Sequence, residues 1–312
     1  MELLPIFMTM RKKQYHVLAT FVIFSLFLSG CSFNKTVLHP TKFLKTTTNA
    51  AWIDSYADTL CFYFSGCNHQ PATLLKNRKD TVVLSYTIES VLFTNAQGDT
   101  LNGWFLKPKN QAPVITLLQL HGNAGTLYNQ LKMSSFLKNG FQIFIFDYSG
   151  FGFSQGKASR NNLLTDALSA LDYLKTREDV KGTKLVIYGQ SLGGNLAPVV
   201  ASKRQNETDG LVIEGGFSTY KDMAAKKFGF IGRILIAEKH NSLKFIKTYN
   251  KPLLSMHSPG DKTVPFDLGK KLFDNANEPK TFFEMPKKCH LCGSVYYSDE
   301  ISQKIKSMLN TK

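Results

Sequence analysis

A serine, an aspartate and a histidine, met in that order along the chain, carry the chemistry this sequence could do. Ser191 stands in Gly189-Gln190-Ser191-Leu192-Gly193, a G-x-S-x-G run. Leu185, Val186, Ile187 and Tyr188 precede it without polar alternation, the pattern of a fully buried strand. After Gly193 and Gly194, residues Asn195 to Ala201 suit a helix, with Pro198 expected only in its first turn. A strand that turns at once into a helix strains one residue, and flanking glycines make room for that approach. The hydroxyl then stands at the carboxyl edge of a sheet and at a helix N-terminus, where backbone N–H groups favour negative charge. A serine hydroxyl is a poor nucleophile at neutral pH, so it needs a base, and the base needs an orienting group. Asp261, on a turn that Pro259 and Gly260 help to form, is the candidate acid; its plainer reading is a turn aspartate or helix cap. His290, beyond the last strand, is the candidate base, against the plainer reading of a surface histidine in a basic loop. Glu214, at a strand end, is the reserve acid. His257, His240 and His121 are less suitably placed to act as bases.

The elements that must hold these residues are regular from Thr81 onward. Val82–Thr94 and Leu101–Leu106 read as strands joined by a turn over Asn95-Ala96-Gln97-Gly98-Asp99. Val114–Leu120, Phe141–Phe146, the serine strand, Gly210–Glu214, Pro252–Met256 and Thr281–Glu284 are further strands. Helical spacing is read up to about Lys138, over Ser159–Lys175, after Ser191, and over Tyr296–Leu309. Strands alternating with helices predict an α/β fold, a mostly parallel sheet flanked by helices and opened by an antiparallel hairpin. The stretch 217–249 breaks the alternation and reads as a small lid, or as a crossover helix with a longer loop.

These motifs resemble the α/β-hydrolase superfamily, in particular its small-lidded esterase and lysophospholipase-like branch, over residues 81–312. His121-Gly122-Asn123-Ala124-Gly125 is similar to the family's oxyanion loop. The resemblance implies that the backbone N–H groups of Asn123 and Leu192 form the oxyanion hole. Asp147-Tyr148-Ser149-Gly150-Phe151-Gly152-Phe153-Ser154 resembles a segment that shapes the floor of the family's site. Asp261 matches the acid of D-x-x-V-P, and His290 the late histidine, with Cys289 where the family usually has glycine. The implied activity is a serine hydrolase acting on ester, thioester or lipid acyl bonds through an acyl-enzyme, with no cofactor and no metal. A peptidase of the same superfamily is the near alternative. A non-catalytic envelope protein on a hydrolase scaffold is the distant one. Gly150-Phe151-Gly152 does not make a dinucleotide fingerprint, because Gly156 falls at the wrong spacing.

Composition bounds these readings. The 312 residues are 43% hydrophobic and 20% charged, enough for one α/β domain with a substantial core. The 38 basic residues against 23 acidic give +15, which favours anionic surfaces. The lysines are scattered and no basic-aromatic motif is present, so no nucleic-acid partner is expected. Arg11-Lys12-Lys13 precedes an apolar run over Val17–Leu28, too short for the ~20 residues of a comfortable span, and then Leu28-Ser29-Gly30-Cys31. This reads as a signal peptide over residues 1–30, with an uncleaved signal anchor as the competing reading. Its ending resembles the bacterial lipobox, which implies a lipid anchor on Cys31 and an exported, membrane-tethered protein of the bacterial cell envelope. Residues 31–80 would then be a tether and a partly docked extension. Export permits disulfides. Four cysteines remain, Cys61, Cys67, Cys289 and Cys292, and they allow three pairings; the local pairs 61–67 and 289–292 are the first expectation, ahead of a zinc site.

Overall fold

The structure, a computed structural model, describes residues 37–44, 49–53, 59–66, 69–76 and 79–310. The expected signal peptide and Cys31 lie outside them. By internal contacts the chain falls into two compact units. One is made of residues 38–219 with 239–312, and the other contains Tyr220–Glu238.

The larger unit begins with a feature absent from the sequence reading, a four-stranded antiparallel sheet. It runs β1 (Asn49–Ile53), β2 (Thr59–Ser65), β3 (Gln70–Lys76), β4 (Asp80–Thr81), in that spatial order. Phe62 of β2 is fully buried, its ring 5.5 Å from Trp104 and 6.1 Å from Tyr128. Phe62 therefore docks this sheet with an aromatic plug. Beside Phe62, Cys61 is a buried free thiol, so the expected Cys61–Cys67 bridge is not formed; Cys67 itself lies outside the described residues. Cys61 is buried as Phe62 is, and a buried free thiol packs as a small hydrophobe.

The second sheet has eight strands. They are β5 (Tyr86–Thr94), β6 (Thr100–Pro108), β7 (Ile115–Leu120), β8 (Phe141–Phe146), β9 (Lys184–Gln190), β10 (Gly210–Glu214), β11 (Leu253–His257) and β12 (Lys280–Glu284). Their spatial order is β12-β11-β10-β9-β7-β8-β6-β5. From β8 to β12 every pairing is parallel, while β5–β6 and β6–β8 are antiparallel. Every residue of β7, β8 and β10 is buried, as expected of parallel strands covered on both faces. The opening hairpin closes where Asn95 Oδ1 accepts the N–H groups of Gln97 and Asp99, with Gly98 at φ 85°.

Helices follow the parallel strands. The first, α1 (Leu127–Asn139), is wound as 3₁₀; at its start the Thr126 N–H donates to Asn129 Oδ1 at 2.8 Å, and Gly140, at φ 82°, ends it. Next come α2 (Arg160–Lys175), capped by Ser159, and α3 (Leu192–Lys203), which carries Pro198 in its interior rather than in its first turn. The helix begins directly after Ser191. Burial of Leu192 through Ala201 offsets the loss of the one backbone hydrogen bond that proline removes, a cost of about 3 kcal/mol. In the smaller unit, α4 (Tyr220–Leu235) is interrupted at Phe228 and Gly229. The chain continues through α5 (Ser242–Ile246) and α6 (Phe266–Asp274). The helix expected over Tyr296–Leu309 is α8 (Ser298–Met308); a short α7 (Gly293–Tyr296), not anticipated from the sequence, precedes it, with Tyr297 between the two. The Tyr297 hydroxyl accepts the Lys287 N–H at 3.0 Å. Among the described residues no helix is long and apolar enough to cross a membrane.

Candidate active site

Ser191 occupies the bend between β9 and α3 at φ 55°, ψ −110°, a strained conformation for a residue with a side chain. The glycines around it are there for space. A Cβ on Gly193 would lie 1.9 Å from the carbonyl oxygen of Leu120, and one on Gly189 would lie 2.4 Å from that of Gly193. The Ser191 N–H donates to the Glu214 carbonyl at 2.9 Å, and its own carbonyl accepts from Asn195 at 3.0 Å. The bend is thus fixed from the next strand on one side and from its own helix on the other. As the first residue of α3, Leu192 offers one of the N–H groups that lack an intrahelical acceptor. Gly122 runs beside it: a Cβ there would touch Ser191 Cβ at 3.6 Å and Leu291 Cδ1 at 3.7 Å. Asn123 follows, its side-chain Oδ1 accepting the His39 N–H at 3.0 Å. Gly122, Asn123 and the serine bend therefore share one edge of the sheet.

Asp261 and His290 come to the same edge from β11 and β12. Asp261 Oδ1 accepts the N–H groups of Thr263 and Val264 at 2.8 and 3.0 Å, which leaves Oδ2 to face the imidazole. His290 Nδ1 lies 2.6 Å from Oδ2. An ionised carboxylate only accepts, so Nδ1 carries the proton and Nε2 keeps its lone pair. Burial works to raise the Asp261 pKa; the histidine contacts of His257 and His290 and the Val264 N–H outweigh it and hold the carboxyl well below its ordinary range. The His290 ring rests against Gly215, where a Cβ would be 3.3 Å from Cε1. Among the described residues the Ser191 hydroxyl has no hydrogen-bond partner; such contacts often tighten only with substrate bound.

The loop that carries His290 is tied at several points. Cys289 and Cys292 are joined by a disulfide, so this local pair forms as expected. Leu291 adopts φ 55°. Lys132 Nζ donates to the Leu291 carbonyl at 3.4 Å, and the Gly293 N–H donates to Glu214 Oε1 at 2.7 Å. Glu214, fully buried, also accepts from Tyr188 Oη at 2.8 Å and Gln190 Nε2 at 2.7 Å through Oε2. It touches no histidine through a hydrogen bond, so as a reserve acid it is spoken for. Instead it links the serine strand to the histidine loop.

Two histidines take up structural positions. His257 is buried behind Asp261, its Nε2 3.0 Å from the Val264 carbonyl and 3.4 Å from Oδ2. Sequence reasoning set it aside as a base and missed it as a second neighbour of the acid; its four-residue spacing from Asp261 was the available signal. His121 is fully buried under Tyr148, and burial lowers its pKa to about 4. Asp147 lies 3.9 Å from it and accepts the Leu127 N–H at 3.0 Å, while burial raises its carboxyl well above the ordinary value. His240 is half-buried and makes no contact with the pair at 261 and 290. A cleft of about 470 Å³ opens beside Asp261 along Pro259, Gly260 and Lys288. A larger one of about 710 Å³, between α1 and the segment before β5, contains none of Ser191, Asp261 and His290. Its place away from Asp261 and His290 argues against assigning it the chemistry. Among the described residues no group of three or more histidines, cysteines and carboxylates is poised to hold a metal ion.

A mostly parallel sheet with a strained serine on the bend after its central strand, and an acid and histidine from later strands, defines an α/β-hydrolase. The chain belongs to that family. Residues 115–259 match the family described as alpha/beta hydrolase fold. The chain is 32% identical over 213 residues to the uncharacterized protein YfhR of Escherichia coli (strain K12), covering 66% of this chain and 74% of that one. It is 31% identical over 232 residues to the lysophosphatidylserine lipase ABHD12 of Xenopus tropicalis, covering 68% of this chain and 59% of that one. Among solved structures, esterase Pf2001 of Pyrococcus furiosus superposes with a TM-score of 0.59 at 18% identity, over 72% of this chain and 93% of the other. At that identity the likeness establishes the fold.

Proposed function

We propose that this chain is a serine hydrolase that cleaves carboxylic ester, thioester or lipid acyl bonds, with Ser191 as nucleophile, His290 as base and Asp261 as the orienting acid. The observation that carries it is the 2.6 Å contact between His290 Nδ1 and Asp261 Oδ2, on the sheet edge where the Ser191 elbow also stands. With Nδ1–H donated to the carboxylate, Nε2 is free to take the Ser191 proton as Oγ attacks the carbonyl carbon. The oxyanion is met by the N–H groups of Leu192 and Asn123. Collapse expels the alcohol or thiol, protonated by His290, and leaves an acyl-serine. Water, deprotonated by His290, then attacks the acyl carbonyl and releases the acid. A preorganised donor of this kind is commonly worth ~3 kcal/mol in the transition state.

A lysophospholipid is the substrate class that the name of the lysophosphatidylserine lipase supports, and the basic surface of a +15 chain suits an anionic headgroup. Export, with Cys31 as lipid anchor, would hold the enzyme at the cell-envelope membrane. The test is hydrolysis of a panel of p-nitrophenyl esters and lysophospholipids, with fluorophosphonate labelling of Ser191. Turnover and labelling in the wild type, both abolished in Ser191→Ala, support the reading. Turnover that survives the substitution overturns it.

A further inference from the structure

Helix α4 is two arms, and what lies between them is unlike the rest of the described surface. Phe228 (φ −132°) and Gly229 (φ 63°, ψ −157°) leave helical geometry, a turn that glycine allows. The arms then fold together. A Cβ on Gly232 would lie 2.4 Å from the Ala224 carbonyl oxygen and 2.8 Å from Phe228 Cβ, and Arg233 Nη1 donates to Asp222 Oδ1 at 2.6 Å. Both acids of residues 220–238 are occupied: Asp222 by Arg233, and Glu238 by the N–H groups of Tyr220 and Lys221 at 3.4 and 3.1 Å.

At the fold the apolar residues point outward. Phe230 is 75% exposed, Ile234 65%, Ile231 63% and Phe228 58%. The other large exposed apolar residues described, such as Leu44, Val83 and Val114, are scattered through the sequence, whereas these four fall within seven residues. Single exposed apolar groups need no explanation, but a cluster of this kind marks an interaction site. Lys226 and Lys227 are exposed directly beside it. An apolar tip with cations at its base, and with its acids already paired, matches an anionic bilayer, where apolar side chains enter the headgroup–acyl boundary and lysines meet phosphates.

We infer that residues 226–234 are a membrane-docking tip that inserts Phe230, Ile231 and Ile234 into an anionic lipid surface. The tip needs no acyl anchor and no catalytic serine, so it stands independently of the proposed activity.

The test places a reporter on the tip of the full chain. Phe230→Trp is added to vesicles of phosphatidylcholine with phosphatidylglycerol, or of phosphatidylcholine alone, with and without brominated acyl chains. The expected result is a blue shift on adding the anionic vesicles and bromine quenching roughly twofold above that of the parent chain. Lys226→Glu with Lys227→Glu should remove most of that excess. Quenching no greater than the parent's overturns the inference, even where the chain binds vesicles through another segment. A blue shift already present without lipid overturns it too, since protein, from this chain or a second copy, would then cover the tip. Circular dichroism and fluorophosphonate labelling equal to the parent's establish that the variants are folded.

Discussion

At the scale of single residues, the Asp261 carboxylate sets the protonation pattern of the site. Two histidines and two backbone N–H groups converge on it, and they keep it ionised below the ordinary aspartate range. His290→Ala should therefore lose ester hydrolysis almost as far as Ser191→Ala, by about 10³-fold or more, because the members of such a unit fail together. Steady-state rates on a p-nitrophenyl ester check this. His121 makes a separate prediction about stability. Its folded pKa, about 4, lies below the ordinary 6.5. Between these values the unfolded chain binds the proton and the folded chain does not. Stability is therefore full above pH 6.5 and falls as the pH drops toward 4, by roughly 3 kcal/mol in total for this group. Asp147, raised by burial, has the opposite slope, losing stability as the pH rises through its range. The quantity to measure is thus the difference between wild type and His121→Asn in urea unfolding from pH 4 to 7, where the variant should have the flatter acid side.

At the scale of elements, the serine bend and the histidine loop meet through Glu214. Its carbonyl holds the Ser191 N–H, and its carboxylate holds Gly293, Tyr188 and Gln190. Glu214→Ala leaves three buried donors without an acceptor, each worth about 1–3 kcal/mol. Thermal unfolding should show a large loss. Glu214→Gln, which keeps one acceptor, should unfold closer to the wild type. The Cys289–Cys292 bridge and the Lys132 contact constrain the same loop. Cys289→Ser with Cys292→Ser should lower kcat by about tenfold through looser placement of His290, with the melting temperature little changed. Unchanged kcat on the ester substrate would mean that Lys132 and Glu214 hold the loop unaided.

How much of this was legible in the sequence follows from which signals are local. The serine strand, its glycines and the β5–β6 turn are local patterns; the strand was read to within two residues at its ends and the turn to the residue, whereas β5 starts at Tyr86, four residues after the expected Val82. Sheet β1–β4 was not seen, because its strands lie in a stretch of mixed threonines, lysines and scattered aromatics. The Lys287–Tyr297 hydrogen bond joins residues ten apart, and the link from Glu214 to Gly293 spans 79 positions. No periodicity encodes such contacts. They arise only when β10 and the loop after β12 reach the same edge.

At the scale of the whole molecule, the excess of 15 positive charges acts at long range, before any specific contact is made. Its field accelerates encounter with an anionic surface and is screened beyond about 10 Å at 0.1 M salt. A soluble, neutral ester should be indifferent to that field, because its approach to Ser191 is governed by short-range fit. An ester presented on anionic vesicles should depend on it strongly. Raising the salt should slow hydrolysis of the vesicle-borne substrate by about an order of magnitude, while the neutral soluble ester changes by less than about twofold. In the proposed mechanism the two substrates share the same chemical step at Ser191, so the ratio of their salt responses isolates the encounter. Equal responses would place the salt effect on the folded site itself, and the surface charge would then have no part in choosing the substrate.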